Sequence, residues 1–397
     1  MLSAKFFGPE GRGYIAGATT MASLMASIGG LSIGRVLVFE ITRQKLTPQE
    51  YFRRNLYSLL TIGIILTAII YLVAILISLI YPSFYGKVDN NFYFIAFLTV
   101  PAIIWSAQSM YLFSSLNRLP VQNSMSLLVQ ITYVASAALA VMYFKLGLIT
   151  FLCLMTASSI GTFALEVMFI SRLVKPECTV HWDEIAILVK NGLKIHLDTI
   201  GGILITSANI LILNYYLTPR DVGIYQLAMQ LVSMIIIVPS VISLTFNHDI
   251  AVLGHDAALL KHIKYYWSVM FLMILICICA YFLIPYAMLL VASSKFNESI
   301  VIFRLLLFSV IGNTFCTLMG PQLTSRGYFK FLSGSTLVFG GGGLLISMYM
   351  IKKYQMAGAA YSTIALYTVA MICNLFFFGY LKRKASGNCN LNSVSAA

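Results

Sequence analysis

Apolar residues run along this chain in long blocks separated by short polar turns. Eleven blocks reach spanning length, at 14–38, 56–80, 92–116, 121–144, 147–171, 196–217, 222–246, 265–291, 300–323, 331–351 and 358–380. Each lies near the ~20 residues that carry a helix across a hydrocarbon core. A barrel strand would alternate polar and apolar positions over ~10 residues, and these blocks do not. The pattern predicts an all-α polytopic membrane protein, since only helices and closed barrels satisfy their backbone in lipid. Composition fits that medium: of 397 residues 59% are hydrophobic and 10% charged, where a soluble domain carries ~25% charged.

The turns between blocks repeat. Gly8-Pro9-Glu10-Gly11-Arg12-Gly13-Tyr14 matches Thr218-Pro219-Arg220-Asp221-Val222-Gly223-Ile224 as Pro-x-x-x-Gly. Asn117-Arg118-Leu119 aligns with Ser325-Arg326-Gly327, and Arg172 with Lys382, so the three offsets are 210, 208 and 210. A shared offset predicts two pseudo-symmetric helical lobes, as in many transporters. The expected division is a first lobe over 1–172, a cytoplasmic amphipathic linker over 173–195, a second lobe over 196–384 and a polar, disordered tail over 385–397. Ile185, Leu188, Val189 and Leu193 give the linker its helical apolar stripe, which suits a hinge strap lying on the interface. The first lobe shows five spans and the second six. Shifting 196–217 back by 210 puts the missing mate at about −14 to 7, so a twelfth helix is expected to begin upstream of Met1. Met1–Gly13 lacks the basic start and apolar core of a signal peptide.

Basic residues orient the bundle. Assigning turns alternately places 16 Lys and Arg on one side and 8 on the other, and the richer side is expected to be cytoplasmic. The net charge of +13 is thereby read as topology signals beside anionic headgroups, with no nucleic-acid partner. The seven cysteines lie mostly within apolar runs, as reduced packing residues do. His248, His255 and His262 recur beside Asp249 and Asp256 and read as a solvated cytoplasmic connection over 247–264, not a metal site. Gly340-Gly341-Gly342-Gly343 has no following Lys and Ser/Thr, so it is no phosphate loop. No cofactor is expected.

Phe7-Gly8-Pro9-Glu10-Gly11-Arg12-Gly13, followed by an Ala- and Gly-rich helix, resembles the start of the Wzx-type polysaccharide flippases. These belong to the multidrug/oligosaccharidyl-lipid/polysaccharide exporter superfamily. Asp221-Val222-Gly223-Ile224-Tyr225-Gln226-Leu227-Ala228 looks like their matching second signature, and Asp198 fits the same pattern. The motifs cover some 30 residues, the architecture essentially the whole chain. The resemblance implies twelve helices, both termini cytoplasmic, and no enzyme activity. It further implies export of undecaprenyl-diphosphate-linked oligosaccharide across the bacterial cytoplasmic membrane for O-antigen, capsule or exopolysaccharide. A polysaccharide polymerase and a chain-length regulator would be partners. Two other functions stay open: a multidrug or small-molecule cation antiporter of the same superfamily, and a membrane-embedded polymerase or glycosyltransferase.

Charges inside apolar runs are the candidate site residues, because they are costly in lipid and tend to face a cavity or a partner. Arg35 is either a snorkelling anchor or a diphosphate contact, since a guanidinium fork suits phosphate oxygens. Arg304 joins it as a substrate-binding candidate, with Arg118 and Arg326 at equivalent turns of the cytoplasmic mouth. Asp198 and Glu166 either titrate to couple export to protons or fix packing. Gly8, Pro9, Gly13, Pro219 and Gly223 form two outer turns, either plain connections or gates. Pro101, Pro239, Pro285 and Pro321 lie inside apolar runs, where each kinks its helix and frees a carbonyl.

The charge bias makes a direct prediction. Single-cysteine labelling in a cysteine-free background should place Tyr85 and Ser299 outside, and Lys264 and Ser386 inside. Inward labelling at the first pair with outward labelling at the second would reverse the orientation.

Overall fold

A computed structural model describes residues 2–80, 90–145, 147–253, 255–291 and 294–394. Among them, nine helical stretches are long and apolar enough to cross a membrane, ten when the bent pair Thr199–Ile205 and Ser207–Tyr216 counts as one. The last stretch, Phe331–Lys384, has 54 residues. At 1.5 Å per residue that is roughly 80 Å of helix, against a core of ~30 Å. Gln355, at φ 54 and ψ −132, breaks it into the two spans expected over 331–351 and 358–380.

The chain folds as two compact units, Glu10–Pro219 and Arg220–Ala397, the second joined by Ser3–Pro9. The N-terminal unit holds α1 (Leu2–Gly29), α2 (Ile33–Gln44), α3 (Pro48–Ile80), α4 (Asn90–Phe97), α5 (Val100–Ser115), α6 (Leu119–Met142), α7 (Leu148–Val174) and α8 (Trp182–Tyr216). In α3 the stripe Tyr51, Phe52, Leu56, Leu59, Ile62, Leu66 and Ile70 is buried at helical spacing. Its opposite face is apolar too, with Ile64, Leu72 and Leu79 exposed. A helix apolar all round belongs in lipid. The C-terminal unit holds α9 (Pro219–Leu253), α10 (His255–Val291), α11 (Asn297–Ser325) and α12 (Phe329–Val394). At its centre Tyr266 packs on Phe246, Phe315 and Phe378 at 5.4, 5.9 and 5.0 Å, joining all four helices. Tyr266 is therefore core, whereas its neighbours Tyr265 and Trp267 are exposed as interface anchors would be.

Three sequence expectations need correction. The lobe boundary falls at Pro219, not at a free strap over 173–195. Helix α8 starts at Trp182 and runs on into the span, and its polar start is fastened to α2 and α3. Glu177 N–H donates to the Arg53 carbonyl at 2.8 Å and His181 N–H to Ser58 Oγ at 2.8 Å. Glu184, buried, accepts from Tyr51 Oη at 2.5 Å and Gln44 Nε2 at 3.0 Å. Asn191 Nδ2 donates to Glu40 Oε1 at 2.8 Å. Loop 247–264 is almost all helix, since α9 ends at Leu253 and α10 begins at His255. There His262 Nε2 donates to Asp249 Oδ2 at 2.9 Å and Lys261 Nζ lies 2.9 Å from the same oxygen, holding that carboxyl below the usual range. The His248 side chain lies outside the described residues. The tail, finally, continues α12 to Val394. For the labelling test, Tyr85 and the Ser386 side chain lie outside the described residues. Ser299 is fully buried and donates to the Ile224 carbonyl, so exposed Lys295 is the better probe.

The interior prolines explain several cross-helix contacts. Proline has no N–H, so the carbonyl four residues earlier loses its helical donor. Pro101 departs from the expected kink: it lies in the first turn of α5, where no N–H is needed, and the Phe97 carbonyl that ends α4 accepts from Tyr71 Oη of α3 at 2.9 Å. For Pro321 the freed carbonyl is Thr317, taken by Ser243 Oγ of α9 at 3.0 Å. For Pro285 it is Tyr281, taken by Arg304 Nε of α11 at 3.3 Å. The Arg304 guanidinium also lies 4.5 Å from the centre of the Tyr281 ring.

This pairing predicts a non-additive mutant pair. Arg304→Ala should lower the Tm of purified protein, with a loss of about 1.5–3 kcal/mol of stability if its bond counts as charge-assisted. In a Pro285→Ala background, residue 285 supplies the missing N–H, and the Arg304→Ala effect should shrink. Equal effects in both backgrounds would deny that Arg304 serves the proline.

Candidate functional site

Helix α1 stops inside the apolar run predicted over 14–38, and α2 starts three residues later. The break is formed by Gly30, Leu31 and Ser32, with Leu31 at φ 50 and Ser32 at φ 52. Non-glycine residues in the left-handed region are strained and tend to sit where surroundings enforce them. Irregular backbone at membrane depth also needs protein or a cavity around it. Both hold here. Neighbouring helices supply the enforcement. A Cβ on Gly192 would overlap the Leu31 carbonyl, so α8 presses on the break itself. A Cβ on Gly34 would overlap the Ala107 carbonyl and lie 2.7 Å from Tyr111 Cδ2, so α2 and α5 touch through backbone.

Behind the break lies a cavity of about 270 Å³, lined from α1, α2, α5 and α8. Gly30, Ser32, Gly34 and Arg35 come from the break and the first turn of α2. Gln108 and Tyr111 come from α5, Thr199 from α8. Ser32 Oγ lies 2.7 Å from Thr199 Oγ1 and 3.0 Å from His196 Nδ1, which ties the break to α8. Arg35 is exposed at this rim and is the one charged side chain among the described residues lining the cavity. Gln108 is 2% exposed, and neither its amide nitrogen nor its amide oxygen has a hydrogen-bond partner.

On an adjoining face of α5 lies the second polar feature. Glu166 of α7 is 2% exposed. Trp105 Nε1 donates to its Oε2 at 3.0 Å and Gln122 Nε2 to its Oε1 at 3.1 Å. Gln122 Nε2 also lies 2.9 Å from Ser109 Oγ. The carboxyl is held by neutral donors from two neighbouring helices. Burying a carboxyl is costly unless it is hydrogen-bonded, and these donors supply the bonds.

The remaining candidates separate. Arg326 Nη1 pairs with Asp256 at 2.8 Å and Nη2 donates to the His255 carbonyl at 3.0 Å, so this guanidinium ties α11 to α10. Arg118, its counterpart, is exposed at the start of α6. Arg304 caps the Pro285 kink within the C-terminal unit, so it and Arg35 are not brought together in one unit. The Asp198 side chain lies outside the described residues. At the expected turns, Gly8 has φ 68 and breaks α1, with Pro9 restarting it, while Pro219 opens α9. Both prolines occupy the first helical position, where no N–H is needed. Gly13 and Gly223 are buried one turn inside their helices and are not turn residues. A Cβ on Gly13 would overlap the Pro219 carbonyl, so the two motifs meet backbone to backbone. Arg12, assigned to an outer turn, is buried in α1.

Sequence reading missed Gln108, Gln122, Trp105, Ser32 and Thr199. Its filter was formal charge, and these are neutral. A search for amides inside apolar runs would have found both glutamines.

This is a two-unit, all-helical membrane architecture. Similar structures include an inward-facing multidrug resistance MATE family transporter of the MOP superfamily, at 12% identity and TM-score 0.70, covering 96% of this chain and 93% of that one. Lipid II flippase MurJ in an inward closed conformation matches at 13% identity and TM-score 0.66, over 99% of this chain and 88% of that one. A MOP superfamily transporter from Pyrococcus furiosus, noted for the reverse polarity of its binding pocket, matches at 15% identity and TM-score 0.53, over 95% and 87%. At such identities the likeness speaks for the fold. No curated protein matches the sequence. A family model of polysaccharide biosynthesis proteins matches residues 1–246, and the chain belongs to that family.

The Glu166 site predicts a coupled stability defect. Gln122→Leu and Trp105→Phe each strip one donor from a buried carboxyl and should lower the Tm of purified protein by several degrees. In a Glu166→Leu background the same changes should cost less. Equal losses in both backgrounds would deny that these donors serve Glu166.

Proposed function

We propose that this protein is a flippase for polyprenyl-diphosphate-linked oligosaccharides, working in the bacterial cytoplasmic membrane during surface polysaccharide assembly. The observation that carries this reading is the broken helix that sets Arg35 on the first turn of α2, at the rim of a cavity within the apolar run. A helix N-terminus and a guanidinium together favour an anion, and a diphosphate offers oxygens for both. Membership of the polysaccharide biosynthesis family supports the sugar-bearing cargo. The rival cation antiporter would need acidic groups lining the cavity, whereas the charged lining residue described there is Arg35. Glu166 is the group we assign to proton coupling. It bonds to Trp105 on a face of α5 adjoining the one that lines the cavity, so a change at its carboxyl bears on the packing of the cavity wall.

Replacement of Arg35 tests the assignment in cells making the cognate polymer. Arg35→Ala and Arg35→Glu should abolish surface polysaccharide while membrane protein levels stay normal, and Arg35→Lys should restore only part, lacking the fork. Arg118→Ala should be mild. Arg326→Ala should instead lower protein levels, because its pairing with Asp256 is structural. Glu166→Gln should flatten the dependence of export on external pH. Full export by Arg35→Glu at normal abundance would overturn the diphosphate site.

A further inference from the structure

The cavity has a second polar pole that the diphosphate does not explain. Gln108 offers one acceptor and two donors, yet none is used within the protein, although the side chain is almost fully buried. Leaving such groups unpaired forfeits their hydration without replacing it. An apolar side chain would fill the position at lower free energy, so the amide makes sense as one half of an interaction completed by a ligand. Its surroundings suit a neutral polar ring. Tyr111 contributes an aromatic side chain, Ser32 and Thr199 contribute hydroxyls, and Ala26 and Met110 complete the wall without charge.

The backbone contact of Gly34 with α5 fixes the geometry. It locks the first turn of α2, which carries Arg35, against the helix that carries Gln108. A cation at the rim and an amide within are thus held on two helices that cannot easily slide. Resting on the flippase reading above, we propose that this cavity is a sugar subsite. Gln108 pairs with a donor and an acceptor on the first sugar of the cargo, while Arg35 holds the diphosphate attached to that sugar. The sugar is recognised as a pyranose ring carrying adjacent hydroxyl or acetamido groups, whose alternating donors and acceptors match the amide. Gln108 would then set the preference for a sugar-bearing lipid over the bare lipid diphosphate.

The test uses the full chain in lipid nanodiscs and two radiolabelled probes, a short-chain polyprenyl diphosphate and the same lipid carrying one hexose. Wild type should bind the hexose-bearing probe about tenfold more tightly, the size of one good hydrogen-bonded pair. Gln108→Leu and Gln108→Met should erase that preference, leave the bare probe unchanged, and melt at or above the wild-type temperature, since they remove an unpaired amide. Arg35→Ala should weaken both probes. If Gln108→Leu keeps the preference while Arg35→Ala weakens both, the sugar subsite is wrong and the flippase reading stands. If Arg35→Ala weakens neither, the flippase reading fails and the subsite fails with it. A wild type without preference overturns the subsite. So does a Gln108→Leu that melts lower and loses both probes, because the amide would then be structural, bonded to water within the fold.

Discussion

A main-chain carbonyl that loses its helical donor inside a membrane has no water to turn to, and this constraint organises much of the structure. Pro285 and Pro321 each create such a carbonyl, the end of α4 leaves another at Phe97, and each is met by a side chain from another helix: Arg304, Ser243 and Tyr71. The kinks are therefore also cross-links. They fasten α3 to the α4–α5 bend, α11 to α10, and α9 to α11. The break between α1 and α2 obeys the same rule by a different route. Its irregular backbone is pressed by Gly192 on one side and faces a polar cavity on the other.

Much of the architecture was legible from hydropathy alone, because a ~20-residue apolar run in a nearly charge-free chain has few other solutions. The apolar runs reappear as helices, two of them, 14–38 and 92–116, broken partway along. Boundaries fared less well. A stripe at Ile185 and Leu188 correctly signalled an amphipathic segment, yet it could not reveal that Tyr51 and Gln44 would hold that segment to the first bundle. Nor could composition tell a helix restart from a turn at Gly13, since the reason for the glycine is a distant carbonyl at Pro219. Charge singled out Arg35, Glu166, Arg304 and Arg326 with equal weight and could not tell a cavity-lining residue from a structural tie. The partners of Arg304 and Arg326, a kinked carbonyl and Asp256, lie on other helices and have no signature in sequence.

Equivalent positions of the two repeats have different occupations. Arg326 is bound to its neighbours, while Arg118 is exposed. The helix carrying most of the site chemistry is α5, which contributes Gln108 and Tyr111 to the cavity and Trp105 and Ser109 to the cluster around Glu166. One wall thus faces both the cargo candidate and the protonatable group. A shift of that wall by the width of a hydrogen bond would be felt at both, a simpler basis for coupling than a relay of separate parts.

The fastening of α8 to α3 also bears on how the protein is made. A chain emerging from the ribosome inserts its spans in order, and by Val174 the first bundle has all the helices that the repeat assigns to it. It is not yet whole. Tyr51, Gln44, Ser58 and the Arg53 carbonyl still await partners from Glu177, His181 and Glu184, and Tyr93 awaits Asn214 Nδ2 at 2.9 Å. The early helices must wait in lipid, loosely assembled, until translation has passed Tyr216. A nascent chain arrested at Lys175 would leave those polar groups uncovered for any quality-control protease to find, whereas one arrested beyond Pro219 would present a closed bundle.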